Sequence, residues 1–238
     1  MKTVLYVIVI SLFSMAPFAA ELYAAKLPAD FEARYEIKKG FIKIGDARRS
    51  LKRTTNGNAI YTSHSKTTGF ISSLFKENIL QTTEFTFKNG LIKPQTYVYN
   101  RNNGQKNVKQ TYDWQNKIVR SQRDDKLFEY AIPNKVQDQS IYQLSLMLDL
   151  SDGKRSFTYQ IAENVRLVDY DINQVSSVRL ETALGKLETV VIQVRNKKIN
   201  TKIWCAKAYN YLPVKIEHDE GGGVFTAYIK SVSGLKRR

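Results

Sequence analysis

Residues 31–40 read FEARYEIKKG, and their spacing decides the fold. Phe31, Ala33, Tyr35 and Ile37 fall on one side of an extended chain, while Glu32, Arg34, Glu36 and Lys38 fall on the other. A period of two with one apolar side is a half-buried β-strand, and Lys39-Gly40 supplies the turn that ends it. The same alternation returns at Phe85 and Phe87, at Val190, Ile192 and Val194, and at Phe225, Ala227 and Ile229. Asn56-Gly57, Asn89-Gly90, Asn103-Gly104, Asp152-Gly153, Leu184-Gly185 and the glycines at 221 to 223 punctuate the runs. The spacing predicts roughly ten to twelve strands in an antiparallel meander with one wetted face.

One segment departs from that period. Between Asp138 and Asp149, Ile141, Leu144 and Leu148 recur at helical spacing, with Asp138 as N-cap and Asp152-Gly153 beyond the end. A single apolar helix among strands covers the concave side of a curved sheet most economically. The fold class expected is therefore mainly β: an antiparallel half-open barrel with one principal helix, whose interior holds side chains or a ligand.

The N-terminus, MKTVLYVIVISLFSMAPFAAELYAAK, has a lysine at position 2, an apolar run from Val4 to Phe13 and small residues after it. That is the pattern of a secretory signal peptide over residues 1–25, leaving one β-rich domain over 26–238. With no cysteine near the cleavage region, a lipid-anchored N-terminus is not expected, and the mature chain is placed in a bacterial periplasm. One cysteine makes no internal disulfide, so stability has to come from a core, which 42% hydrophobic and 11% aromatic residues can supply. The net charge of +15 favours anionic partners such as lipid headgroups.

Motifs of catalysis are weak. Cys205 and His218 flank a turn near Asn210, so Cys205 should pair near Val214 or Lys215 and His218 near Lys202. Those rows stand on the order of 10 Å apart, against roughly 3 Å for a nucleophile and its base. Cys205 is expected to be structural and half-buried. His64 and His218 share no metal-ligand spacing, and neither a metal nor a cofactor is expected. Asp124-Asp125 reads as a solvated turn, because adjacent strand residues point to opposite faces. The basic clusters Arg48-Arg49 with Lys52-Arg53, Arg195 with Lys197-Lys198, and Lys236-Arg237-Arg238 carry no interleaved aromatics, so nucleic acid is not the expected partner.

Three stretches together resemble a bacterial family known as domain of unknown function 3108. They are Phe31-Glu-Ala-Arg-Tyr with Ile42-Lys-Ile-Gly45, then Thr182-Ala-Leu-Gly-Lys-Leu-Glu-Thr189, and Ile203-Trp-Cys-Ala with Leu212-Pro-Val-Lys-Ile216. Ala183-Leu184 stands where the family usually has a proline before the glycine turn. The resemblance implies an envelope protein and brings no catalytic residue with it. It also implies a shape similar to the half-open barrel of the periplasmic lipoprotein carrier and its outer-membrane receptor, an analogy of fold alone.

The functional expectation is a non-enzymatic binding protein that carries or senses lipid or lipoprotein acyl chains. Phe70, Ile71, Leu74 and Phe75 would form an apolar lip, with Ile141, Leu144 and Leu148 as a helical floor. Arg48, Arg49 and Arg53 would meet an anionic headgroup or membrane surface. The alternative is a structural or interaction protein of the envelope whose barrel is filled by its own side chains.

Overall fold

The computed structural model describes residues 26–74, 76–104, 106–219, 221 and 223–238. The signal-peptide reading of residues 1–25 and the placement of Phe75 in the lip lie outside the described residues. The first half of the chain contributes β1 (Phe31–Lys39), β2 (Ile42–Arg53), β3 (Ala59–Thr67), a single helical turn α1 (Ile71–Leu74), β4 (Asn78–Lys88) and β5 (Leu91–Arg101). Three short strands follow, β6 (Lys106–Asp113), β7 (Ile118–Arg123) and β8 (Lys126–Ala131), then a two-residue β9 (Gln137–Asp138) and the helix α2 (Tyr142–Ser151). The remainder is β10 (Ser156–Ala162), β11 (Leu167–Thr182), β12 (Gly185–Arg195), β13 (Asn200–Ala206), β14 (Leu212–Asp219) and β15 (Val224–Ser233).

All fifteen strands belong to one sheet in the order β8-β7-β6-β5-β4-β3-β2-β1-β15-β14-β13-β12-β11-β10-β9. Every neighbouring pair is antiparallel except β9 with β10. The opening stretch behaves as its spacing demands: Phe31, Ala33 and Tyr35 are buried, and the charged residues between them face outward. The strand count exceeds the expected ten to twelve because β6 to β8 turn without glycine. Lys117 and Asp124 take left-handed backbone conformations themselves, at φ of 54° and 52°.

Prolines mark where the ladder slips. Pro94 faces Phe85 at a register shift in the β4–β5 pair, and Pro213 faces Cys205 at another in the β13–β14 pair. Proline has no amide to give to a ladder, so a bulge is where a strand tolerates it. At the second bulge Val214 drops out of the pairing, so Cys205 opposes Pro213, one residue from the expected Val214, and His218 opposes Thr201, one residue from the expected Lys202.

Helix α2 is the centre of the molecule. Ile141 and Leu144 with Met147 and Leu148 pack against β1 to β5 and the ends of β12 to β15. Tyr142, Leu146 and Leu150 pack against β10 to β14. Side chains on both sides of α2 are buried, and only Gln143, Asp149 and Ser151 reach toward the surface. The expectation of one buried face is corrected, and α2 is a wedge between the two halves of the curved sheet. The helix also starts later than expected, with Ile141 in the cap position and no side-chain cap. Asp138 lies in β9 instead, fully buried, with Oδ1 accepting the amides of Ser140 and Ile141 at 2.8 Å each.

The sheet's two edges, β8 and β9, share no ladder among the described residues. Side chains bridge the seam between the two halves. Tyr97, Tyr112, Val119 and Ile132 meet Val136 and Ala162 in a separate apolar cluster. The buried amide of Gln110 donates to the carbonyls of Ala162 and Glu163 at 3.3 and 2.9 Å, and the Tyr130 hydroxyl donates to Glu163 O at 2.7 Å.

Candidate functional site

An antiparallel meander puts alternate turns at the same end, and the two ends of this barrel differ. At one end the seam gapes. There the start of β5, the connection 133–137, the C-terminal half of α2 and the start of β10 enclose a cleft of about 690 Å³. Leu91, Ile92, Pro133, Leu148, Phe157 and Tyr159 form its apolar wall. Polar groups stand at the margin. Asp149 accepts the Tyr159 hydroxyl at 2.5 Å and pairs with Lys154. Burial first, and the Asp149 charge second, push the Tyr159 phenol well above its ordinary value, so it stays a neutral donor. Lys135 is exposed and has no ion-pair partner among the described residues.

The residues singled out in the sequence do not converge on this cleft. Of the helical floor, Leu148 lines it, whereas Ile141 and Leu144 are buried in the core. The lip residues Phe70, Ile71 and Leu74 lie at the other end of the strands, beside the start of β4, while the cleft meets the turn that follows its end. Ten residue steps separate the ends of β4, about 34 Å along a strand.

The three arginines are dispersed as well. Arg48 faces outward beside Glu32 at 3.6 Å. Arg49 points inward with its guanidinium 5.3 Å from the Tyr35 ring, and its Nη1 is buried without a hydrogen-bond partner. Arg53 holds the start of the domain, pairing with Asp30 at 2.5 Å and donating to the carbonyls of Leu27 and Pro28. The cleft's own residues Leu91, Phe157 and Tyr159 were missed, although Phe157, Tyr159 and Ile161 alternate in the sequence as strand residues do.

Cys205 is fully buried rather than half-buried, and burial pushes its thiol well above the ordinary value. His218 Nδ1 lies 2.7 Å from Thr201 Oγ1, and His64 Nε2 lies 2.6 Å from Asn78 Oδ1. Cys205 and Thr201, the residue opposite His218, are four residues apart on β13, about 14 Å. Among the described residues no group of three or more His, Cys, Asp or Glu side chains is placed to hold a metal ion.

The sequence model of a family described as "Protein of unknown function (DUF3108)" matches residues 31–230. The chain belongs to this family. The DUF3108 fold is similar to a solved beta-barrel-like protein of the domain of unknown function DUF1849 from Brucella abortus. The TM-score is 0.61 at 9% identity, over 87% of this chain and 98% of that one. At that identity the likeness is one of fold. A crystal structure of MucB superposes at a TM-score of 0.35 and 9% identity, over 88% of this chain and 55% of that one, too loosely to bear on either fold or function. Comparison with curated proteins finds no match.

Proposed function

We propose that this DUF3108 protein is a non-enzymatic periplasmic binding protein that holds the apolar chain of a lipid or lipoprotein in the seam cleft. The observation that carries the reading is the cleft itself. Its volume of about 690 Å³ lies within the roughly 300–1,000 Å³ of small-molecule sites. Its lining combines the apolar Leu91, Ile92, Pro133, Leu148 and Phe157 with polar residues such as Gln137, Ser145, Thr158 and Gln160, an amphipathic rather than a purely apolar surface. Each methylene buried there contributes about 0.8 kcal/mol. Lys135 at the margin, without an ion-pair partner among the described residues, suits an anionic headgroup. The N-terminal apolar run and the envelope character implied by the family resemblance support the periplasm. The inert surroundings of Cys205 and its distance from His218 support a role without bond chemistry.

Uptake of a fluorescent fatty acid tests the reading, with native mass spectrometry after mild extraction as a second measurement. Wild-type protein should take up the probe and retain lipid. Leu91→Glu with Phe157→Glu should weaken uptake more than tenfold while thermal unfolding stays cooperative. A clean apo mass together with no uptake defeats the proposal. The second reading, an interaction protein with a filled barrel, draws on one specific observation: Ile141, Leu144, Leu146 and Leu150 of the helix are fully buried, which leaves Leu148 as its one apolar side chain lining the cleft.

A further inference from the structure

The end of the barrel opposite the cleft carries a second feature. Large apolar side chains are normally drawn inward, yet the five most exposed among the described residues all stand at this end. Phe41, at the β1–β2 turn, is fully exposed. Ile42 beside it is 63% exposed, Phe70 and Leu74 in the β3–β4 connection are 77% and 71% exposed, and Leu127 after the β7–β8 turn is 78% exposed. Scattered surface leucines need no explanation, but a concentration at one rim does.

Four of the five stand on two adjoining turns. Ile42, Lys43, Gly69, Phe70 and Ile71 line one shallow cavity of about 400 Å³, and the Thr68 amide donates to Ile44 O at 3.2 Å, tying the two turns together. The turns are built to present these groups. Gly40 takes φ of 60° at the hairpin tip and throws Phe41 outward. Gly69, at φ of 65°, precedes Phe70, and its carbonyl is gripped by the Ser72 hydroxyl at 2.6 Å.

Basic residues surround the cluster. Residues 36–46 and 66–77 contain Lys38, Lys39, Lys43, Lys66 and Lys76 against Glu36, Asp46 and Glu77. Glu77 is already paired with Arg101, and Lys39 rests its ammonium 5.1 Å from the Phe225 ring at the neighbouring hairpin. The same end also bears the β12–β13 turn with Lys197 and Lys198. Lys38 and Lys43 pair with Glu36 and Asp46 at 3.1 and 2.8 Å, which leaves Lys39, Lys66 and Lys76 as the excess positive charge beside the cluster. Aromatic and aliphatic tips beside such lysines match the water–lipid boundary. The rings enter the acyl region, and the ammonium groups stay with the phosphates.

We propose that this rim is a docking edge for the surface of a bilayer containing anionic lipid, with Phe41, Ile42, Phe70 and Leu74 inserted at the interface. A seated rim leaves the cleft at the far end facing the aqueous phase. The proposal stands whether or not the cleft holds a ligand.

Flotation of the purified chain with vesicles tests it, using equal parts phosphatidylglycerol and phosphatidylcholine against phosphatidylcholine alone. The chain should float with the anionic vesicles and at least tenfold less with the neutral ones. Raising the salt from about 0.1 to about 1 M, which cuts the screening length from roughly 10 to 3 Å, should release much of it. Phe41→Ser with Phe70→Ser should lower binding more than tenfold with unchanged melting and unchanged fatty-acid uptake, since neither side chain belongs to the core. In Phe41→Trp the added emission should shift to the blue with anionic vesicles and be quenched by brominated lipid. A wild-type chain that stays in the soluble fraction with anionic vesicles, or an added emission in Phe41→Trp that does not move, overturns the proposal. So does a dimer in sedimentation that the serine variant dissolves, because the rim would then be covered by a second copy.

Discussion

The hydroxyl of Thr83 donates a 2.9 Å hydrogen bond to Oδ2 of Asp138, two residues 55 positions apart on strands that share no ladder. Thr83 lies on β4, and Asp138 lies on β9 at the far edge of the sheet. Oδ1 of the same carboxylate receives the amides that lead into α2. One buried acid therefore ties the first half of the barrel, the second half and the central helix.

That acid makes stability depend on pH. Burial outweighs the three donors and raises the Asp138 carboxyl from 3.8 to about 6. Between those values the folded chain holds a proton that the unfolded chain has released, so stability falls as pH rises through this window and is greatest below it. The rise from 3.8 to about 6 corresponds to about 3 kcal/mol. Asp138→Asn keeps an oxygen for the two amides and has nothing to ionise. Urea midpoints at pH 4 and pH 8 should converge in the variant relative to wild type, which separates this group from Glu77, whose pairing with Arg101 acts in the opposite direction. Equal pH slopes in the two proteins would count against the assignment.

The seam is the next place to press. Gln110 is fully buried, donates to two carbonyls across the seam and accepts the Tyr112 hydroxyl at 3.1 Å. Gln110→Leu keeps the bulk and takes this partner from the Ala162 carbonyl and the Tyr112 hydroxyl, while Glu163 O retains the Tyr130 hydroxyl. The cost is about 1–3 kcal/mol for each group that finds no other partner. Hydrogen exchange should quicken in β10 before it does in β1 to β3. Protection that falls uniformly over the sheet would mean that the edges are not an independent unit.

The strands were legible because their signal is local. Phe31, Ala33 and Tyr35 had to share a face whatever they packed against, and they do. The identity of the site was not legible, because the cleft is made by an absence. It exists where β5 and β10 fail to meet, and no residue in either strand announces a missing neighbour. Arg49 shows the same limit from another side. Its neighbour Arg48 reads identically in sequence, yet alternation sends one outward to Glu32 and the other inward over Tyr35. Helical spacing found Ile141, Leu144 and Leu148 but not their common role, since Tyr142, Leu146 and Leu150 on the other side are buried too.

Cys205 should be chemically silent. It sits against Val190, Ile192 and Ile203 with its thiol held protonated by burial. Only the thiolate reacts readily, so the native chain should resist a disulfide reagent at pH 8 for as long as it stays folded, and react at once in denaturant. Cys205→Ala should be milder than Cys205→Ser, whose hydroxyl finds no partner in that apolar cluster. Rapid labelling of native protein would contradict this burial.

Gly45 reports how closely the strands beneath the rim are fitted. It is paired with Ile37 on β1 and with Thr67 on β3. A Cβ there would clash with the Lys66 carbonyl oxygen and lie 3.3 Å from Thr67 Cα, both backbone atoms that cannot swing away. Gly45→Ala must push β3 from β2, at about 1–3 kcal/mol for overpacking of this kind. The push falls one residue before Thr68, whose amide joins the two apolar turns. The variant should therefore lose stability and vesicle affinity together, whereas Phe41→Ser with Phe70→Ser loses affinity alone. A Gly45→Ala protein with wild-type melting would mean that the β2–β3 spacing has slack, and the turns would then be positioned by something other than this strand pair.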